Sequence, residues 1–311
     1  LVLALYGSLA AGGEVLILPR FEPRAVLDAI PRHDISVLMG VPTMYARILD
    51  EAREADDLGS LRIAISGSAP LGEALWKRFH ERFGIELIER YGLTETTIVT
   101  SNPIDAPEPG SVGLPLAGMT IAIHTGDEYV NVDSGEPKVA IARPRLRTIT
   151  GDRTPRGEIC IAGPTVMRGY GNDPEANARS FRDGFFHSGD LGFIDADGYV
   201  WVDGRIKDLI IVGGSNVVPG EVERVLSSVH EAAEICVAGL SDTDLGEVVA
   251  AFVVARGDAN PKDVEAGLRK AAEAGLAPYK RPRRYLFLDE LPRNTMGKVD
   301  RAKLSSAKLN V

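Results

Sequence analysis

Cysteine is scarce: Cys160 and Cys236 are the only two in 311 residues. Each sits in an apolar, strand-like run, Glu158–Ala162 and Glu234–Ala238. That pattern reads as two buried, reduced thiols rather than a disulfide or a metal pair, and it points to a reducing cytosol. Long apolar runs are missing too, which excludes a helical membrane span, and no signal-peptide pattern is visible. Basic excess is absent: the net charge is −9 and no basic stripe stands out, which argues against nucleic-acid binding. Internal repeats and low-complexity tracts are also lacking. The chain opens on Leu1, already inside an apolar run and without a Met, so the true N-terminus is expected further upstream.

What is present is ample apolar content, 44% of residues, enough for two domains with cores of their own. Leu1–Ala10 reads as the end of an apolar helix or core segment. Glu14–Pro19, Ile35–Gly40, Leu61–Ser66 and Ile85–Glu89 read as strands. Pro23–Ile30, Pro42–Glu54 and Gly72–Phe83 read as helices, the first two with proline in the first turn. Alternation of strand and helix predicts an α/β fold with a largely parallel sheet over residues 1–101. Asn102–Gly118, rich in Pro and Gly, crosses into a β-rich region ending near 203, with strands at Met119–His124 and Gly157–Ala162 and a short helix at Pro174–Phe181. Thr125–Pro155 is polar and irregular. Residues 204–311 read as a small α+β domain: helices Pro219–Ser227 and Pro261–Ala274, and strands Ala233–Gly239, Val248–Ala255 and Arg284–Leu288.

Ligands bind such sheets at the carboxyl ends of strands, and two strands end in informative loops. Ser66-Gly67-Ser68-Ala69-Pro70 lets a flat ligand approach the backbone closely, or is a plain strand–helix turn. In Arg90-Tyr91-Gly92-Leu93-Thr94-Glu95-Thr96 an aromatic ring, a hydroxyl and a carboxylate follow a strand. Tyr91 can stack on a base, Thr94 can donate to a phosphate oxygen, and Glu95 can hold Mg²⁺, which takes carboxylate oxygen plus substrate phosphates. The other reading is a surface turn capped by Thr. Asp190, after a glycine in Gly184–Gly192, can accept the two hydrogen bonds of a ribose diol; His187 beside it reads as structural. Lys298, after Gly297 in a loop, is either a mobile cation or a solvated surface residue. Asp203-Gly204-Arg205-Ile206-Lys207-Asp208 links two apolar segments, as a hairpin turn or as a hinge.

Taken in order, Ser66–Pro70, Tyr91–Glu95, Gly184–Asp190, Gly204–Asp208, Gly213–Glu223 and Pro292–Lys298 resemble the adenylate-forming superfamily of acyl-CoA synthetases, adenylation domains and luciferases. Met39–Tyr45, Glu89–Thr96, Thr100–Pro103 and Leu291–Lys298 look most like malonyl-CoA synthetases. The resemblance implies that a carboxylate attacks ATP to give an acyl-adenylate. A small C-terminal lid domain, 204–311, then rotates, and coenzyme A displaces AMP. On this chain it implies Lys298 at the α-phosphate and carboxylate, Thr94 at phosphate, Glu95 at Mg²⁺, Tyr91 at adenine, with Gly92 between them, and Asp190 with Arg205 at ribose. Lys207 would be the hinge, and Gly213 and Gly214 would face coenzyme A. Gly67, Ser68, Ala69 and Pro70 would flank the nucleotide, and Arg90 or Arg47 would pair with the second carboxylate of a malonyl-type substrate. Residues 1–203 would be a partial AMP-binding domain. The superfamily's Ser/Thr/Gly-rich phosphate loop ending in Pro-Lys is not found in these residues, so the chain resembles the last three-fifths of a roughly five-hundred-residue enzyme. The remaining readings are a short- or medium-chain fatty acyl- or aryl-CoA synthetase, and a nucleotide-binding fragment without catalysis.

Overall fold

The computed structural model of the protein describes residues 2–126, 128–131, 146–148, 152–294 and 298–306. It divides into two compact units, Leu1–Tyr91 with Asn102–Gly110, and Gly92–Ser101 with Ser111–Val311.

The first unit opens with a wide helical turn over Val2–Gly7 and a single turn of α-helix, α1 (Ser8–Ala10). Tyr6 and Leu9 are exposed there, so of the two readings, helix end or core segment, the helical one holds. The expected strand at Glu14–Pro19 is irregular chain with Leu16 and Ile17 exposed. A strand needs a neighbour to take its backbone groups, and this segment has none among the described residues. The rest follows the pattern. α2 (Pro23–Arg32), β1 (Val37–Gly40), α3 (Pro42–Glu51), β2 (Ile63–Ser66), α4 (Glu73–Phe83) and β3 (Leu87–Leu93) alternate, with β1–β2–β3 parallel. Proline opens α2 and α3 at a position where its missing N–H costs nothing. Helix α4 stops at Gly84, whose φ of 67° suits glycine. Leu27, Ile30, Tyr45, Ile48, Phe79 and Leu87 form the core. Tyr45 stays buried by donating its hydroxyl to the Ile65 carbonyl at 2.7 Å.

The second unit begins with β4 (Thr97–Ser101), antiparallel to β5 (Leu114–Pro115). A β-rich sheet follows, from β6 (Thr120–His124), β7 (Tyr129–Asn131), β8 (Leu146–Thr148), β9 (Gly157–Ala162), β10 (Phe181–Arg182), β11 (Phe185–Ile194) and β12 (Val200–Arg205). Its order is β10-β11-β9-β6-β7-β8, with β12 paired to β11. Helix α5 (Pro174–Ser180) is capped by the Asp173 side chain, which accepts from Ala176 N–H at 2.9 Å. Much of Thr125–Pro155 lies outside the described residues.

After a short 3₁₀ turn, Ile206–Asp208, come β13 (Ile210–Val212), β14 (Ser215–Val217), α6 (Pro219–Leu226), β15 (Ala232–Asp242), β16 (Gly246–Ala255), α7 (Pro261–Gly275), β17 (Arg284–Phe287) and α8 (Arg301–Ser306). β16 is apolar almost throughout because both of its faces are covered. Val249, Ala251 and Val253 pack against Val222 and Leu226 of α6 and Val264 and Leu268 of α7. Their neighbours Val248, Ala250 and Phe252 pack against Leu291 and against Leu304 of α8. Both cysteines are buried; burial pushes the Cys236 thiol up to about 12, and both stay protonated and inert at neutral pH.

Candidate active site

Within the first unit, β2 ends in Gly67-Ser68-Ala69-Pro70. Ser68 holds a φ of 69°, uncommon for a residue with a Cβ. Gly67 donates to the Gly40 carbonyl at 3.3 Å, and a Cβ built on it would lie 3.6 Å from the Arg90 carbonyl. The end of β2 therefore lies close to Gly40 at the end of β1 and to Arg90 within β3. Glu89, buried in β3, accepts the Leu71 N–H at 2.9 Å and ties the loop down. Arg90 and Tyr91 follow it, half-buried. Burial lowers the Arg90 pKa from its ordinary value, so its guanidinium sits where a second charge would not be fully solvated. Arg47 is exposed on α3, whose Tyr45 and Ile48 face the core.

The stretch expected to be a loop from Arg90 is strand as far as Leu93. Thr96 N–H donates to the Leu93 carbonyl and Leu93 N–H to Thr96 Oγ1, both at 3.2 Å. The two bonds close a tight turn with Thr94 and Glu95 at its tip. Gly92 is required: an added Cβ would fall 1.8 Å from the Thr97 carbonyl oxygen. Thr94 is exposed. The Glu95 carboxylate accepts a hydrogen bond from the Tyr170 hydroxyl at 2.9 Å. One carboxylate and one hydroxyl at a turn tip form a hard-oxygen donor set. They suit an ion that keeps waters and shares phosphate oxygens, as Mg²⁺ does.

β11 and β12 bring the two ribose candidates together. Asp190 and Arg205 are register partners, and Arg205 Nε donates to Asp190 Oδ1 at 2.9 Å. Behind Asp190 lies a network that was not legible in the sequence. Glu158 Oε1 accepts from Gly189 N–H at 3.0 Å, and Oε2 lies 2.7 Å from His187 Nδ1. His187 Nε2 is 3.0 Å from the Tyr129 hydroxyl, which donates to Asp183. Donor atoms of His124, Glu158 and His187 fall within 4.8 Å of one another, a metal-like spacing. Arg182 Nη2, 2.8 Å from His187 Nδ1, already supplies a cation there, so the cluster is a hydrogen-bonded brace for Gly189–Asp190.

Lys207 is exposed in the 3₁₀ turn after β12. Just before it, Asp203 is fully buried and accepts from Arg156 Nε, in the bend that leads into β9, and from Arg224 Nη2 of α6. Gly213 and Gly214, with φ of 54° and 82°, make the exposed two-residue turn between β13 and β14. Lys298 is exposed, and its ammonium makes no ion pair among the described residues. Its main chain is held by Asn294: Lys298 N–H donates to Asn294 Oδ1 at 3.0 Å, and Asn294 N–H to the Lys298 carbonyl at 2.8 Å. Thr295–Gly297, the rest of that motif, lie outside the described residues.

The AMP-binding enzyme family model matches residues 1–171, and that of the AMP-binding enzyme C-terminal domain matches residues 221–298. The chain belongs to the AMP-binding enzyme family. A long-chain-fatty-acid–CoA ligase of Bacillus subtilis (strain 168) is 37% identical over 300 residues, 96% of this chain and 50% of the relative. A malonate–CoA ligase of Arabidopsis thaliana is 34% identical over 331 residues, 98% of this chain and 51% of the relative. The crystal structure of ATP-bound MatB from Rhodopseudomonas palustris superposes with a TM-score of 0.79 at 37% identity, covering 96% of this chain and 55% of that one. The chain thus spans about half the length of the relatives it matches. These family members bear out the α/β reading and the adenylate-forming resemblance; the fatty-acid and malonate ligases leave the acid open.

Proposed function

We propose that the polypeptide carrying this chain is an ATP-dependent acid–thiol ligase, which forms an acyl-adenylate and then an acyl-CoA thioester on malonate or a similar small carboxylate. The observation that carries this is the Asp190–Arg205 pair. It sets a buried, hydrogen-bonded carboxylate of β11, fit to grip a ribose diol, beside Arg205, the last residue of β12 before the exposed turn of Lys207. In this reading Tyr91 stacks on adenine, Thr94 and Glu95 meet the phosphates and Mg²⁺, and Gly67–Pro70 flank the nucleotide. Residues 204–311, which have their own two-faced core, move as a lid about Lys207. That motion alternates Lys298 with the Gly213–Gly214 turn, which meets coenzyme A. The buried thiols fit a reducing, cytoplasmic setting, and no helix among the described residues is long and apolar enough to cross a membrane.

Malonate keeps one carboxylate as a spectator, and burying that charge is costly without a cation. Arginine meets both of its oxygens with a planar fork. Arg90, partly desolvated within β3, suits the task better than Arg47, which is solvated on α3. The test is carboxylate-dependent thioester formation with malonate, methylmalonate, acetate, butyrate and octanoate. Malonate is expected to be preferred, with the preference lost in Arg90→Leu. Preference for butyrate or octanoate in the wild type would sink the malonyl reading and favour the fatty-acid one, in line with the Bacillus subtilis relative.

A further inference from the structure

Glu95 is held at both ends by one short segment. Its main-chain carbonyl accepts the Met167 N–H at 2.7 Å, and its Oε1 accepts the Tyr170 hydroxyl at 2.9 Å. That segment is itself fixed. Asn177 on α5 accepts the Tyr170 N–H at 2.7 Å and donates to the Tyr170 carbonyl at 2.9 Å, so both main-chain groups of the tyrosine are bolted to a capped helix. Gly169 before it has a φ of 147°, and a Cβ there would lie 2.7 Å from Asn177 Oδ1. Nothing larger than glycine fits without loosening the clamp. The phenol ring packs edge-on against Phe181, centroids 6.5 Å apart.

A carboxylate has two oxygens. Pinning one with a rigid donor fixes the plane of the group and aims the other. Metal ligands gain affinity when such a second group sets their orientation. An unsupported glutamate at an exposed turn tip would instead lose several rotamers on binding a cation.

We propose that Tyr170 is a positioning residue: its hydroxyl locks Glu95 Oε1 so that Oε2 is presented to the divalent cation that accompanies ATP. This rests on the reading of Glu95 as the cation's ligand. The phenol transfers no proton and touches no substrate; it acts through Glu95 alone. Asn177 and Gly169 are the further support of the same arm.

The experiment is binding of Mn²⁺, as a paramagnetic probe, to the polypeptide carrying this chain in the presence of ATP. It compares wild type, Glu95→Gln and Tyr170→Phe, each with a thermal melt and a metal-free ATP titration alongside. Tyr170→Phe is expected to melt close to wild type and to bind ATP alone equally well. Its Mn²⁺ affinity is expected to fall by about ten- to a hundredfold, the range for lost supporting partners. Excess Mg²⁺ is expected to restore its adenylation rate, because the defect lies in occupancy rather than in the step itself. Wild-type Mn²⁺ affinity in Tyr170→Phe, with Glu95→Gln impaired, overturns the role of Tyr170 and leaves Glu95 as ligand. Wild-type affinity in Glu95→Gln, or no ATP-linked Mn²⁺ binding in the wild type, removes the reading of Glu95 and the inference with it. Equal loss of metal-free ATP binding and Mn²⁺ binding in Tyr170→Phe assigns the tyrosine to the fold alone.

Discussion

Lys298→Ala is expected to slow acyl-adenylate formation about a hundredfold or more, the scale on which a donor aimed at developing charge contributes. Thioester formation from pre-made acyl-adenylate is expected to change far less. The ammonium is exposed and has no ion-pair partner among the described residues, whereas its main chain is tied to Asn294. In the proposed reading, such a cation is carried to the α-phosphate by motion of residues 204–311. Acetylation of Lys298 removes the same charge and is expected to silence the same step. If Lys207 is the hinge, as proposed, Lys207→Pro is expected to do the reverse, because proline fixes φ there: adenylation persists and thioesterification slows. A single-turnover assay of each half-reaction checks both variants. Equal loss in the two steps for Lys207→Pro would make the Gly204–Asp208 stretch a plain turn.

The second large effect is on stability. The Asp203 side chain is 0% exposed, while those of Arg156 and Arg224 are 30% and 36% exposed. Removing the carboxylate frees two arginines that can still reach water. Removing both arginines strands a buried anion, and breaking a buried pair in that direction costs about 3–5 kcal/mol. The Arg156→Ala/Arg224→Ala double variant is therefore expected to lose more stability than Asp203→Asn. Asp203→Asn is expected to cost about 1–2 kcal/mol, since an amide still accepts one hydrogen bond. Urea midpoints of the three proteins decide this; a double variant no weaker than Asp203→Asn would show that the carboxylate is solvated. The backbone here has little room to adjust, because a Cβ on Gly220 of α6 would lie 1.9 Å from the Asp203 carbonyl oxygen.

Local signals located most elements. Prolines at the starts of α2, α3, α5, α6 and α7 marked helices truly, because the fixed φ and missing N–H suit that position and few others. The apolar run of β16 was legible as a strand, although only packing shows that it is covered on both faces. Glu14–Pro19 misled because an apolar run says nothing about whether a neighbouring strand exists to pair with it. At the site, the family resemblance already paired Asp190 with Arg205, and the register of β11 and β12 sets them opposite each other. Glu95 was legible from its turn, but Tyr170, 75 residues away, carried no local mark beyond the preceding glycine. The Asp203 clasp likewise joins residues 47 and 21 apart, and a charged side chain in a charged stretch gives no hint of burial. Long-range polar partners are set by topology, which periodicity does not encode.

The most direct measurement of the central claim is carboxylate-dependent exchange of labelled pyrophosphate into ATP by the polypeptide carrying this chain. Exchange is expected to need a small carboxylate and a divalent cation, not to need coenzyme A, and to fall about a hundredfold or more in Lys298→Ala. ATP binding without exchange for any carboxylate in the panel would contradict it, and would leave a nucleotide-binding protein without this chemistry.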